Sequence, residues 1–150
     1  MNPTLSVGDL YDAQHAPLKL RWLAGRQGAG RELEAATARY PGMALVGHLN
    51  FVHPNRVQVL GSAEVGHLRK LPEAEHRQAI HNLFRCPTTT LVVVANDETA
   101  DPDLIRAADE TGMPLLATPL GSPRVIDHSQ HYLTRPLAAG DTVTLQLRFA

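Results

Sequence analysis

The chain has 150 residues, of which 43% are hydrophobic, and this composition is that of one globular domain burying roughly 70% of the surface its unfolded form exposes. Fourteen Lys and Arg against fifteen Asp and Glu give a net charge of -1, which excludes a global basic field that would attract nucleic acid or anionic lipid. A single cysteine excludes an intramolecular disulfide, and neither a leader-like N-terminus nor an apolar run of roughly 20 residues is present. We therefore expect a single cytoplasmic domain over residues 1–150 that does not span a membrane.

The first segments predict a short helix followed by a hairpin. Ser6 is placed to cap a helix over "VGDLYDAQ", with Asp9 completing a capping box. The alternating segments "LKLRWLAG" and "ELEAAT" are separated by the glycine-containing "RQGAGR". This pattern predicts two antiparallel strands joined by a turn.

The middle of the chain predicts a strand and two helices. In "RVQVLG", Val57 and Val59 share one face and Arg56 and Gln58 the other, which predicts a half-buried strand. A helix over "SAEVGHLRKL" with Ser62 as its cap follows, and after it a helix over "PEAEHRQAIHNLF" with Pro72 in its first turn.

The last part of the chain predicts a parallel βαβ unit. The β-branched run "TTTLVVVAN" is typical of a central strand, and "MPLLATP" of a second buried strand. The helix between them has Pro102 in its first turn and Gly112 as its C-terminal cap. A helix over "SPRVIDHSQHYL", capped by Ser122, and a strand over "DTVTLQLRF" follow. The whole order predicts an α/β domain with a mixed β-sheet flanked by helices in three layers.

The sequence lacks the signature motifs of several classes of enzyme. A P-loop needs a glycine-rich turn followed by a lysine, but Lys19 and Lys70 follow Leu18 and Arg69. The glycines of "GRQGAG" are interpreted as a turn, and "LGSAEVG" lacks the second glycine of a hydrolase elbow.

The eight histidines and Cys86 are also assigned no chemistry. His128 and His131 are three residues apart and His76 and His81 five, and exposed helix faces explain both pairs without a metal. Cys86 is interpreted as a small buried thiol. We therefore predict no metal, no cofactor and no catalytic residue.

The polar residues between Leu45 and Glu64 have two interpretations. The simpler one is that "HPNR" forms a turn, with Asn55 bonding its own backbone and His53 and Arg56 exposed beside it. The other is that Asn50, His53 and Arg56 form a small polar pocket or a partner surface. A second candidate site is the helix start in "ATPLGSPR", where Ser122 and Arg124 could hold an anion.

These segments resemble the N-terminal domain of bacterial HPr kinase/phosphorylase. The resemblance covers about residues 5–139, and its most specific parts are "VGHLNFVHPNRVQVLG" and "MPLL". His48 replaces the family's usual aromatic residue, and "LAAG" replaces its usual "LAPR". In the family this region leads into a C-terminal kinase domain with a P-loop, which is absent from this sequence, so no catalytic residue is carried over.

The resemblance implies a fold similar to the N-terminal domain of the Mur ligases, and a non-catalytic regulatory, sensory or oligomerisation role. The family's full-length enzyme phosphorylates and dephosphorylates HPr of the sugar phosphotransferase system, using ATP or pyrophosphate. The expected partners are a kinase domain or a second copy of the chain. The alternative is a stand-alone protein that binds a small molecule or phosphometabolite.

Overall fold

A computed structural model of the chain describes residues 5–33, 45–51 and 54–134. Its strands are β1 (Leu5–Ser6), β2 (Arg21–Ala24), β3 (Glu32–Leu33), β4 (Val46–His48), β5 (Val57–Leu60), β6 (Leu91–Val94) and β7 (Leu115–Ala117). Its helices are α1 (Val7–Leu18), α2 (Ser62–Lys70), α3 (Glu73–Phe84), α4 (Pro102–Thr111) and α5 (Ser122–Thr134). None of the helices in these ranges is long and apolar enough to cross a bilayer.

The main sheet has five strands in the order β2-β7-β6-β5-β4. Strands β4, β5, β6 and β7 are parallel, and β2 joins β7 in antiparallel orientation, so the sheet is mixed as predicted. The predicted central strand β6 lies in the middle and is buried throughout. The predicted βαβ unit is confirmed by β6, α4 and β7.

The residues of β6 alternate between two hydrophobic cores, one on each face of the sheet. Leu91 and Val93 pack in the core that includes α1 and α5, whereas Val92 and Val94 pack in the core that includes α2, α3 and α4. Successive side chains of a strand point to opposite faces, so a sheet covered on both faces needs an unbroken apolar run. The three-layer α/β architecture expected from the sequence is therefore present.

Local capping signals are confirmed at two helices. The Asp9 amide donates to Ser6 Oγ at 3.0 Å, and the Ser6 amide donates to Asp9 Oδ2 at 2.9 Å, which completes the predicted capping box of α1. Helix α4 has Pro102 in its first turn and Gly112 as its C-terminal cap, whose φ of 75° is left-handed and whose amide donates to the Ala108 carbonyl. These bonds satisfy backbone groups that a helix end leaves without intrahelical partners.

The predicted hairpin is wrong, because β2 pairs with β7 and β3 with β1. The segment between β2 and β3 forms a short 3-10 turn that packs along the end of α4. The Gly25 amide donates to Asp109 Oδ1 at 2.9 Å, and a Cβ at Gly25 would lie 2.0 Å from the carbonyl oxygen of Met113. Tertiary contacts to distant residues therefore override the local alternation that suggested a hairpin.

Strand β5 also differs from the prediction, because it is buried on both faces rather than half-buried. Gln58 is 1% exposed, although its position suggested the solvent side. β5 lies between β4 and β6 under helices on both faces, where parallel strands are normally buried. Smaller corrections are that Ser62 and Ser122 are the first residues of α2 and α5 rather than caps, and that Pro72 precedes α3. The strand predicted over residues 141–149 lies outside the described residues.

Candidate functional site

Polar residues gather where the parallel strands end. In open α/β sheets, ligands bind outside the carboxyl ends of the strands. His48 ends β4, Ser62 follows β5, Asn96 follows β6, and Ser122 begins the helix after β7. We call these four residues the polar edge.

One contact within the polar edge joins His48, at the end of β4, to Ser122, the first residue of α5. His48 Nε2 lies 2.9 Å from Ser122 Oγ. The His48 side chain is exposed, whereas Ser122 is buried. Gly61 makes this approach possible, because a Cβ there would lie 2.9 Å from Ser122 Oγ. A histidine beside a hydroxyl can exchange a proton with it or orient it toward a ligand.

A second chain of hydrogen bonds joins the other members of the polar edge. The Asn96 side-chain amide donates to Ser62 Oγ, and Ser62 Oγ donates to Glu98 Oε2 at 2.8 Å. Asn96 and the following Asp97 have φ values of 61° and 56°. Non-glycine residues adopt this left-handed region infrequently, and often at binding sites.

The predicted anion site at the start of α5 is only partly assembled. Ser122 is directed to His48, while Arg124 lies exposed on the first turn of α5. The two residues therefore belong to the same helix start, but the Ser122 hydroxyl contacts a side chain that the sequence did not link to it. The signal missed was that α5 packs against β4, although β5 and β6 separate β4 from β7 in the sheet. This packing brings Ser122 beside His48 although 74 residues separate them.

The loop after β4 is held by buried side-chain amides. Asn55 Nδ2 donates to the His48 carbonyl at 2.9 Å and to Gln58 Oε1 at 3.2 Å. Gln58 in turn accepts from the Asn50 amide at 3.3 Å and donates to the Asn50 carbonyl at 3.1 Å. Gly47 leaves room for this network, since a Cβ there would lie 2.8 Å from Asn55 Nδ2.

These bonds assign Asn55 a structural role, but not the one predicted. Asn55 is buried and binds the backbone seven residues earlier, so it is not a local turn former. Arg56 was expected to be exposed and is half-buried. His53 lies outside the described residues. Asn50 lines the groove described next, and Arg56 is not among the residues that line that groove.

An open groove of about 410 Å³ lies between this loop and the end of α3. Phe51 lines it and is 45% exposed, the only large hydrophobic side chain among the described residues that is exposed. His81 and Arg85 line the opposite side, with Arg85 Nη1 3.1 Å from His81 Nδ1. We call this surface the α3 groove. It combines one exposed aromatic ring with basic groups.

Cys86 also lines the α3 groove and is half-buried rather than buried as predicted. Burial raises the pKa of its thiol, but hydrogen bonds with the side chains and backbones of Thr88 and Thr89 together outweigh burial. The pKa of Cys86 therefore lies below its ordinary value. A lower pKa increases the thiolate fraction, which is the reactive form.

The histidine pairs considered in the sequence have different surroundings. His128 and His131 are both exposed on α5, and His81 is exposed on α3. His76, by contrast, lies between Asp101 and Asp103, with its Nε2 3.5 Å and 3.3 Å from their Oδ2 atoms. Sequence reasoning missed this group because its members come from two helices that touch only in the folded chain.

Comparison with known proteins decides the family. The family model described as HPr Serine kinase N terminus matches residues 5–133. The chain belongs to this family. It is 41% identical over 137 residues to the HPr kinase/phosphorylase of Neisseria gonorrhoeae, covering 91% of this chain and 42% of that protein. The corresponding protein of Xylella fastidiosa is 32% identical over 143 residues, covering 95% of this chain and 45% of that protein.

The family resemblance stated from the sequence is thus confirmed. The chain spans less than half the length of the curated relatives it matches, including the HPr kinase/phosphorylase of Chromobacterium violaceum, of which it covers 42% at 41% identity. The matched segments include the polar edge and the α3 groove, because both lie within residues 5–133.

Proposed function

We propose that this chain is a non-catalytic regulatory or assembly domain that acts with a catalytic domain of the HPr kinase type. The observation that carries the proposal is the family match to an N-terminal segment, together with relatives more than twice as long that are named HPr kinase/phosphorylase. In this proposal the catalytic domain phosphorylates and dephosphorylates HPr, and this domain controls its assembly or activity.

The positions of the lysines support a non-catalytic role. A phosphate-binding loop presents its lysine at the start of a helix, where backbone amides point toward the phosphates. Here Lys19 follows the last residue of α1, and Lys70 is the last residue of α2. A helix C-terminus carries a partial negative charge, so both lysines lie at helix ends that repel phosphate.

The α3 groove is the surface best suited to the partner. An exposed aromatic ring beside arginine is typical of the residues that dominate protein interfaces. Phe51 supplies the ring, and Arg85 and His81 supply basic groups, which fit an apolar patch flanked by carboxylates. We therefore assign the catalytic domain to this groove as its occupant.

A binding measurement tests the assignment. The chain would be titrated calorimetrically against the separately produced C-terminal portion of the Neisseria gonorrhoeae relative. Phe51→Ala should weaken binding at least about tenfold, because aromatic anchors at interface centres contribute about 2 kcal/mol or more. His131→Ala, on the opposite layer, is the control and should bind like the parent. Absence of binding by the parent, or equal binding by Phe51→Ala, would contradict the assignment.

A second function is supported by the polar edge. His48 and Ser122 meet at the carboxyl ends of parallel strands beside the first turn of α5, where a phosphometabolite could be held. Titration with inorganic phosphate, monitored by the shifts of backbone amide resonances, distinguishes this function from partner docking. Shifts confined to the start of α5 and lost in His48→Ala would favour this function over partner docking.

A further inference from the structure

The group formed by His76, Asp101 and Asp103 joins two helices of one layer, α3 and α4. His76 lies in the first turn of α3, and Asp101 and Asp103 lie at the start of α4. Each offers one ligand atom, and these three atoms lie within 4.8 Å of one another. Side-chain exposures of 13%, 26% and 37%, in that order, leave the group half-buried with one side open to water.

The backbone fixes which nitrogen of His76 faces the carboxylates. Nδ1 lies 2.7 Å from the Leu68 carbonyl oxygen at the end of α2. A carbonyl only accepts, so Nδ1 carries the proton and donates it. Nε2 is then the atom directed at Asp101 and Asp103. Metal-ligating histidines almost always donate their other ring N–H in this way.

Both carboxylates are oriented by bonds to their other oxygen. Asp101 Oδ1 accepts from the Asp103 amide at 2.9 Å, and Asp103 Oδ1 accepts from Arg106 Nη1 at 2.9 Å. Each Oδ2 is thereby left facing Nε2. With Nδ1 protonated, the Nε2 lone pair of a neutral ring would point at two negative charges, which is unfavourable unless a cation lies between them.

The distances from His76 Nε2 to the two carboxylates indicate whether a proton or a metal ion lies between them. A charge-assisted N–H to carboxylate bond is about 2.7–2.9 Å long. In a tetrahedral zinc site with bonds of about 2.0–2.2 Å, neighbouring ligand atoms lie about 3.3–3.5 Å apart. The two nitrogen–oxygen separations of 3.3 and 3.5 Å agree with zinc geometry and are too long for a strong hydrogen bond, and the two carboxylate oxygens lie within 4.8 Å of each other. The imidazole ligand disfavours calcium and magnesium, which prefer oxygen ligands.

We propose that His76, Asp101 and Asp103 bind a zinc ion, with water as the fourth ligand. The ion would link α3 to the start of α4. It would also anchor the loop 95–101, which leads from the polar edge to Asp101. The bond from His76 to Leu68 extends this link to α2. This proposal does not depend on the proposed partner or on HPr.

Calorimetric titration of the full chain with zinc chloride, after treatment with a chelator, tests the proposal. We expect one tight site per chain. His76→Gln and Asp103→Asn should each weaken it at least about tenfold, since even outer-shell changes at metal sites cost 10–100-fold. The double variant His128→Gln/His131→Gln removes the other closely spaced histidine pair and should bind like the parent.

A second readout separates this site from adventitious binding. Cobalt substituted for zinc should give the intense visible absorption of a tetrahedral site in the parent and in the α5 double variant, and not in Asp103→Asn. Circular dichroism checks that each variant is folded, and Asp103→Asn is the safer variant because Asp103 is the most exposed ligand. No zinc binding by the parent, or binding unchanged in both His76→Gln and Asp103→Asn, would overturn the proposal.

Discussion

Replacing Gln58 with alanine tests whether the loop after β4 is scaffolding. Gln58 is 1% exposed, and its amide makes three hydrogen bonds: two with the backbone of Asn50 and one with the side chain of Asn55. Each contributes about 0.5–1.5 kcal/mol net, so their loss should lower the free energy of unfolding by about 3 kcal/mol. That is a large part of the roughly 5–15 kcal/mol by which domains are stable.

Urea unfolding followed by circular dichroism measures the change. The matched control is Gln78→Ala, because Gln78 is exposed on α3 and bonds only across one helical turn to Asn82 among the contacts described. Such a pair stabilises a helix by about 0.2–0.5 kcal/mol, so the control should stay close to the parent. If the free energy of unfolding of Gln58→Ala also lay within about 0.5 kcal/mol of that of the parent, the buried amide network would not hold the loop and the structural interpretation would fail.

Three further predictions concern the core, the thiol and nucleotide binding. Val93→Asp should leave the chain largely unfolded at 25 °C, as measured by circular dichroism. Val93 is 3% exposed, and burying a carboxyl there costs several kcal/mol in addition to the apolar burial that is lost. A melting temperature within a few degrees of that of the parent would show that β6 is misassigned. Alkylation of Cys86 by iodoacetamide should reach half its maximal rate at a lower pH than that of a free cysteine measured in the same assay, and an inflection at or above the pH found for the free cysteine would contradict the lowered pKa. Calorimetry with magnesium-ATP should show no binding, since Lys19 and Lys70 lie at helix C-termini, and micromolar affinity would require an unconventional site.

Features set by neighbouring residues were predictable from the sequence. The capping box of Ser6 and Asp9, the glycine that ends α4 and the β-branched run of β6 each depend on a few adjacent residues. Their physical causes are local: an unpaired amide, a left-handed φ and apolar burial on both faces. The parallel βαβ unit followed from them because connection handedness leaves few topologies.

Features set by distant residues were not predictable in the same way. The alternation around Trp22 is equally compatible with a hairpin and with an edge strand. The pairing of β2 with β7, supported by the contacts of Gly25 with Asp109 and Met113, decides between them. Gln58 has the spacing of a solvent-facing residue, yet it is buried because Asn50 and Asn55 satisfy its amide.

The candidate sites depend on such distant pairs. His48 at the end of β4 meets Ser122 at the start of α5, and His76 of α3 meets Asp101 at the start of α4. Neither pair has a sequence spacing that a motif would record. Of the loop residues that the sequence singled out, Asn50 lines the α3 groove, but the exposed side chain that distinguishes this groove is Phe51, to which the sequence assigned no role.

The most direct test of the proposed regulatory role uses the C-terminal portion of a relative. Its rate of HPr phosphorylation would be measured while increasing amounts of this chain are added. The account predicts no phosphorylation by the chain alone, and a saturable change in rate with the parent chain that is weakened by Phe51→Ala but not by His131→Ala. A rate that stayed constant at every concentration of the chain, or phosphorylation of HPr by the chain alone, would contradict it.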